Sequence, residues 1–460
     1  MIKVSGYCRS FLLLGFLLSF SACKDDDKVV NDITTNRWIE NTMRSYYYWY
    51  GDIPETNKLN FETSPEVFFQ SLLSEKDGKD NNQVSGGHYY YSTIKKKSAS
   101  TRAYLGEGPS LGFEFQNWFF TSNNRYAVSV LYVLPGSPAD LAGLRRGDWI
   151  HSIDGVAVNN SNIYDLLGSK TVTVGVSDSY RKLFSTRSVE LVPATVKDNP
   201  VFLTKVYNDL STGGKKVGYL VYNHFTSGPD GDTDTEYDDD LRQAFARFKA
   251  AQVQEFVLDL RYNGGGLVTS AQLLSEMLAP ASALGKTFCD LVYSDKQNKT
   301  VNYQLRQTGQ NLDLPRLIVL TSSRTASASE AVINGLKPFY QVMVIGERTE
   351  GKNVGSITLS SDKYEYDLHP IVCRIYNAKG ESDYEDGFVP DWTLSEDQRV
   401  IEGHVELGDK DNDPLLAVAV YTIRTGSLPR INVARSAGMD IVSGYCSLDE
   451  KSGSGVRVPF

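Results

Sequence analysis

A serine, a lysine and a glycine-rich turn are the residues of this 460-residue chain whose types and spacing could do chemistry. They lie in three segments: Thr325-Ala326-Ser327-Ala328-Ser329-Glu330, Gly346-Glu347-Arg348-Thr349-Glu350-Gly351-Lys352-Asn353, and Asp259-Leu260-Arg261-Tyr262-Asn263-Gly264-Gly265-Gly266. A serine hydroxyl becomes a nucleophile when a base takes its proton, and a lysine amine is such a base once neutral. Bringing a lysine pKa from about 10.4 towards 7 takes about 4.6 kcal/mol, which burial in a pocket of low polarity supplies. The apolar run Val342-Met343-Val344-Ile345 ahead of Lys352 is suited to carry it inside, within hydrogen-bond reach of Ser327. Acyl transfer also needs donors fixed on the developing oxyanion, and the amides of Ala328, Gly265 and Gly266 are the candidates. Glycine lets backbone approach a substrate without a Cβ in the way.

Each segment also has a plain reading. Ser327 and Glu330 fit an S-x-x-E capping box, which would make Ser327 a helix cap. Lys352 alone reads as a surface lysine, and the glycine run lacks the Lys-Ser/Thr ending of a phosphate-binding loop. It is the three together that point to nucleophilic catalysis. A Ser-His-Asp arrangement would draw on His88, His151, His224, His369 or His404, and no motif recommends any of them. Asp259 and Arg261 are expected to form an ion pair holding the glycine turn. The acidic run Asp230–Glu236 has Thr235 where a calcium loop needs glycine and Leu241 where it needs glutamate, so it reads as a solvated loop. No metal and no cofactor is expected.

The elements that must position these residues alternate strand and helix. Lys216–Asn223, Glu255–Leu260, Arg316–Thr321 and Gln341–Gly346 read as strands. Asp239–Ala250 carries Leu241, Ala244, Phe245 and Phe248 on one helical face. Further helices are expected up to Leu278, over Glu330–Leu336, and from an Asp413 cap with Pro414 to Gly426. This is α/β architecture with a mostly parallel or mixed sheet, whose sites gather at the carboxyl ends of strands. Residues 30–100 read as helical, with Arg37–Tyr50 and Pro65–Ser74 amphipathic and the aromatic run Tyr46–Tyr50 in a small core. Asp77–Gly87 and Lys95–Arg102 read as loop and linker.

Between Leu105 and Val192 short strands replace helices. The ordered set Ser110-Leu111-Gly112-Phe113, Gly136-Ser137-Pro138-Ala139, Ala142-Gly143-Leu144, Gly147-Asp148 and Asp154-Gly155 resembles a PDZ domain. In such a domain Leu111, Gly112 and Phe113 would hold a peptide's terminal carboxylate and start a strand-addition edge. This domain followed by D-L-R-x-N-x-G-G, T-A-S-A-S-E and G-x-x-x-x-G-K resembles the carboxyl-terminal processing proteases, serine peptidase family S41, from near Arg37 to about Pro390. The resemblance implies Ser327 as nucleophile and Lys352, twenty-five residues on, as base. It implies a crotonase-like (ClpP/crotonase-type) α/β core, and Gly387-Phe388-Val389-Pro390-Asp391 matches a late turn of the family. Many members place glutamine four residues after the lysine, where this chain has Ser356, a possible auxiliary residue. The expected organisation is a signal peptide over 1–22, a tether and helical domain over 23–103, a PDZ-like domain over 104–193, and the protease core with an extension over 194–460.

Lys3 and Arg9 precede the apolar run Phe11–Phe20, which at about 15 Å is half the hydrocarbon thickness of a bilayer. It reads as a secretory signal. Ser21-Ala22-Cys23 resembles a bacterial lipobox, implying lipidation at Cys23; the plain alternative is a signal peptide beside an incidental cysteine. Lys24-Asp25-Asp26-Asp27 fits a solvated tether, and the expected location is the outer membrane of a bacterium, facing the periplasm or the outside. The composition, with 41% hydrophobic and 22% charged residues, excludes wholesale disorder and a multi-span membrane protein. A net charge of -9 gives no global field for nucleic acid, and five scattered cysteines form neither a zinc module nor a disulfide framework. The expected partners are protein or peptide substrates and, through Cys23, a membrane. The competing function is a surface lipoprotein that captures peptides through its PDZ-like domain without cutting them.

Overall fold

The computed structural model describes residues 22–81, 87–97, 107–182, 187–208, 214–229, 233–396, 403–429, 441–449 and 456–457. The leader and the side chain of Cys23 lie outside this set, as does the acidic run from 230 to 232. Among the described residues no helix is long and apolar enough to cross a membrane.

The centre of the molecule is a six-stranded sheet in the order Val201–Tyr207, Val217–Tyr222, Glu255–Asp259, Arg316–Thr321, Gln341–Gly346 and Trp392–Thr393. The first pair is antiparallel and the other neighbours are parallel. Parallel strands are covered on both faces, so side chains of both parities are apolar. Tyr222, Phe256, Leu258, Leu317, Val319 and Val344 face one core together with Phe245, Phe248, Leu274 and Val332 from helices. Tyr219, Val257, Ile318, Leu320 and Ile345 face the other, with Leu415, Leu416 and Ala419. The helix Glu236–Ala250 packs as its spacing predicts, Phe245 stacking on Phe256 at 5.5 Å between centroids. The helix Pro414–Thr425 starts on an Asp413 cap and ends at Gly426 with φ 74°, as read from the sequence.

A second sheet follows the order Thr300–Gln304, Thr287–Tyr293, Ile371–Tyr376, Val354–Ser356 and Val456–Arg457. The PDZ-like domain is built on a sheet in which Phe113–Phe120 pairs along one edge with Arg125–Val133. Its neck is the two-stranded pairing of Glu107–Ser110 with Ala194–Lys197.

The amino-terminal region departs from the helical reading. It has the helices Ala22–Tyr46 and Pro65–Gln70, but then three short strands, Lys79–Asn81, Gly87–Tyr89 and Thr93–Lys96. The last pairs with Tyr366–His369 of the core. Asp77, expected in a linker, is fully buried, its carboxylate accepting from the Tyr91 and Ser92 amides and the Tyr47 hydroxyl. Those bonds tie Asp77, Tyr91 and Ser92 to the aromatic core, where Tyr47 is buried with Phe68 and Phe69 as expected. Cys289, Cys373 and Cys446 are buried free thiols.

Candidate active site

The three chemistry-bearing segments leave the carboxyl ends of three adjacent parallel strands, Glu255–Asp259, Arg316–Thr321 and Gln341–Gly346. Adjacency in the sheet is what brings them together. They are stitched by Thr325 Oγ1 donating to the Leu260 carbonyl (2.8 Å), the Ala326 amide to that of Asn263 (3.2 Å), and the Glu350 amide to that of Thr325 (2.9 Å).

Ser327 is fully buried at the amino end of the helix Ala328–Leu336, with φ 62° and ψ -112°. A positive φ costs a residue with a Cβ about 1–3 kcal/mol and is characteristic of functional turns. Its Oγ has no hydrogen-bond partner. The capping-box arrangement read from the sequence is present, with the serine side too loose to make a hydrogen bond. Glu330 reaches back to the Ser327 amide at 2.8 Å, while the hydroxyl is left over.

Glu330 does more than cap. Its Oε2 accepts from the amides of both Ser327 and Lys352, each at 2.8 Å, and its Oε1 accepts from the Gly351 amide and the Thr349 hydroxyl, each at 2.6 Å. One buried carboxylate thus anchors the backbone of the serine and of the lysine on a single oxygen. Burial pushes its pKa up to about 7 against these four donors. The donors match an ionised carboxylate, whose four acceptor sites they fill.

Lys352 is buried, 4% exposed, and burial lowers its pKa to about 8, with Asp77, Glu350 and Glu330 acting in the opposite sense. Its Nζ stands over the Tyr91 ring, 4.6 Å from the centroid. It makes no hydrogen bond to Ser327 Oγ. The expected contact between the two side chains is not formed here, because the aromatic face from the amino-terminal region holds the amine. Tyr91 is fixed by its hydroxyl on Glu350 Oε1 (2.9 Å), which also accepts from Tyr89. A cavity of about 500 Å³ opens on Lys352, lined among others by Tyr91, Ala326, Arg324 and Gly264.

The glycine turn lies against the serine. A Cβ on Gly265, at φ +110°, would stand 2.8 Å from Ser327 Cβ, and one on Gly266 would strike the Phe225 carbonyl. Gly265→Ala is therefore expected to displace Ser327 and slow any reaction at its hydroxyl at least about tenfold, a larger loss than its stability cost explains; unchanged kinetics in a folded variant would refute this. The Gly265 amide donates to Asn263 Oδ1 (2.9 Å), which corrects its expected role as an oxyanion donor. The amides of Ala328 and Gly266 have no acceptor among the described residues.

Asp259 and Arg261 do form the expected ion pair, 2.7 Å and fully buried, and Arg261 also binds Asp413 (2.8 Å) and Glu396. Glu396 accepts in addition from Arg146 of the PDZ-like domain and from the Tyr262 hydroxyl. Ser356 is buried in the strand after Lys352, opposite Ile371.

The peptide-holding residues expected in the PDZ-like domain are interior. Leu111 and Phe113 pack into its core, and the Gly112 amide donates to Ser110 Oγ (3.0 Å). The Gly112 turn is closed from the other side by Ser137, whose Oγ donates to the Gly112 carbonyl (3.1 Å). Backbone pairing along the outer edge of this strand thus begins at Phe115 instead of Leu111.

Glu330, Tyr91, Asp77 and Glu350 were not recognised as parts of the site from sequence. A usable signal was present: three tyrosines in a row, Tyr89–Tyr91, stand between the two stretches read as loop and linker and mark a segment that buries.

The family profile of peptidase family S41 matches residues 216–394, that of the peptidase S41 N-terminal domain residues 34–93, and that of a PDZ domain residues 129–170. A solved putative S41 protease from Bacteroides fragilis is 32% identical with a TM-score of 0.71, the match covering 84% of this chain and 96% of that one. The chain belongs to peptidase family S41, with the amino-terminal and PDZ domains of that family. The carboxyl-terminal-processing protease of Picosynechococcus is 29% identical over 54% of this chain, and the chloroplastic C-terminal processing peptidase of Tetradesmus obliquus 31% over 49%. The chain spans 58% and 48% of the lengths of these two curated relatives.

Proposed function

We propose that this chain is a serine endopeptidase that cleaves protein substrates recognised by their carboxyl-terminal tails, with Ser327 as nucleophile and Lys352 as base. The observation that carries the reading is Glu330 Oε2, which holds the amides of both residues while one hydroxyl is unpartnered and one amine is desolvated.

In the reaction the neutral amine leaves the Tyr91 face and accepts the Ser327 Oγ proton as Oγ attacks the substrate carbonyl. The oxyanion is met by the Ala328 and Gly266 amides. Lys352 returns the proton to the leaving amine, and water then resolves the acyl-enzyme. The tail docks by strand addition on the Phe115–Phe120 edge. The lipobox supports export and anchoring through Cys23, and incorporation of labelled fatty acid into wild type but not Cys23→Ala checks it.

The test of the activity is cleavage of tail-tagged peptides by wild type, Ser327→Ala and Lys352→Ala. Both variants are expected to lose turnover. Activity surviving both substitutions would end the proposal, and tail binding with no turnover in wild type would favour the peptide-capturing lipoprotein.

A further inference from the structure

The strand-addition edge of the PDZ domain already has an occupant, and it belongs to this chain. Ile441–Cys446 forms a strand antiparallel to Phe113–Phe120, with Ile441 opposite Phe120, Val442 opposite Phe119, Ser443 opposite Trp118 and, after a bulge, Cys446 opposite Gln116. The pairing continues past the strand: the Ser447 amide donates to the Phe115 carbonyl (3.0 Å) and the Phe115 amide to Ser447 Oγ (2.8 Å). Gln116 Nε2 reaches the Gly444 carbonyl at 2.9 Å.

Side chains reinforce the backbone ladder. Tyr445 packs between Phe115 of the edge strand and Tyr164 of the short helix Asn162–Leu167, with centroids 6.0 and 5.1 Å away. Cys446 and Leu448 are buried. The segment runs towards the Gly112 turn, the direction a substrate tail anchored there would take, but it does not end at that turn. It crosses to the core, where Asp449 pairs with Arg324 (3.2 Å) and both Leu448 and Asp449 line the cavity beside Lys352. Farther on, Val456–Arg457 adds in parallel to Val354–Ser356, the strand that begins two residues after Lys352.

We propose that residues 441–449 are a built-in competitor that occupies the tail-docking edge and the mouth of the active-site cavity together. The inference rests on the reading of that edge as the site for substrate tails. A tethered strand acts at an effective concentration in the millimolar range, so a substrate tail free in solution competes at a disadvantage. Displacement by a substrate would clear the edge and the cavity mouth in one event. The resting state described here, with Lys352 over Tyr91 and Ser327 Oγ unpartnered, is the closed one.

Two full-length variants test this. In the first, Tyr445→Asp with Ser447→Pro removes the aromatic anchor and the amide on Phe115. The probe is a fluorescent synthetic peptide with the sequence of residues 441–449. It is expected to bind this variant at least tenfold tighter than wild type, and the variant to cleave β-casein faster, with excess unlabelled peptide reversing the gain. Equal peptide affinity for wild type and variant overturns the proposal. The second variant, Phe119→Cys with Val442→Cys, places two thiols at opposed positions. Oxidised, it is expected to lose peptide binding and casein cleavage, and reduction to restore both; equal activity in the two redox states overturns the proposal even if the first variant fails to fold. Unrelated peptides with free carboxyl ends separate the two readings. If they fail to bind the opened variant while the 441–449 peptide binds, self-occupancy stands and substrate-tail recognition falls.

Discussion

Replacing Lys352 by methionine is expected to abolish peptide cleavage and, at the same time, to make the fold more stable at neutral pH. The two effects share one cause. A lysine buried with a pKa of about 8 is still mostly protonated at pH 7, and its folded state carries the cost of a desolvated cation. The unfolded lysine titrates near 10.5, so between pH 8 and 10.5 the unfolded chain binds more protons and stability rises with pH. Below pH 8 the full cost is present, on the order of 3 kcal/mol. Methionine keeps the volume without the charge, so chemical denaturation at pH 7 should show a gain of about 1–3 kcal/mol that shrinks towards pH 10.5. Activity in the wild type should follow the neutral amine, kcat/KM rising with unit slope up to about pH 8 and then levelling. The variant should lose at least about 10³-fold. A variant that is less stable and keeps measurable turnover would show that this amine is neither strained nor the base.

The second large effect concerns Arg261. It is fully buried, and its guanidinium is shared by Asp259, Asp413 and Glu396. Glu396 keeps Arg146 if Arg261 is removed. Asp259 and Asp413 lose their cation and are left with the Tyr219 hydroxyl and the backbone amide of residue 261 on the first, and the helix-cap amides of Leu415 and Leu416 on the second. Arg261→Met is expected to cost about 3–5 kcal/mol, the penalty of uncompensated buried charge. Burial already raises the Asp413 pKa against the pull of Arg261, and without that cation the carboxylate takes up a proton more readily, so the loss should be smaller at pH 5 than at pH 8, measured by urea denaturation. A loss that grows as pH falls would contradict the assignment. The Arg261 carbonyl also accepts from Ser322 Oγ, so the glycine turn and the segment leading to Ser327 are tied to the same residue.

Much of this was legible in the residues. The apolar strands and the helix with Leu241, Ala244, Phe245 and Phe248 on one face announce an α/β core, because period and burial are local properties. Three chemistry-bearing segments each placed just after an apolar strand announce their own convergence, since parallel order makes neighbouring carboxyl ends meet. The Asp259–Arg261 pair was visible because its members are two residues apart, whereas Asp413 and Glu396 come from remote parts of the chain. Tyr91 over Lys352 was hidden for the same reason: the contact joins the amino-terminal region to a loop of the core, and hydropathy carries no information about which surfaces meet. The tail on the Phe113–Phe120 edge was equally hidden, as Ile441–Cys446 shows nothing in its composition that names its partner strand.

The single oxygen shared by the Ser327 and Lys352 amides has a mechanical consequence. The two main-chain anchors travel as one part, so a displacement of the PDZ domain would leave their spacing unchanged. What remains adjustable is the torsional freedom of a lysine side chain, a rotor whose observed stop is an aromatic face and whose proposed second stop is a hydroxyl. Regulation can then be rewritten by altering docking surfaces at the periphery while the reacting groups stay calibrated.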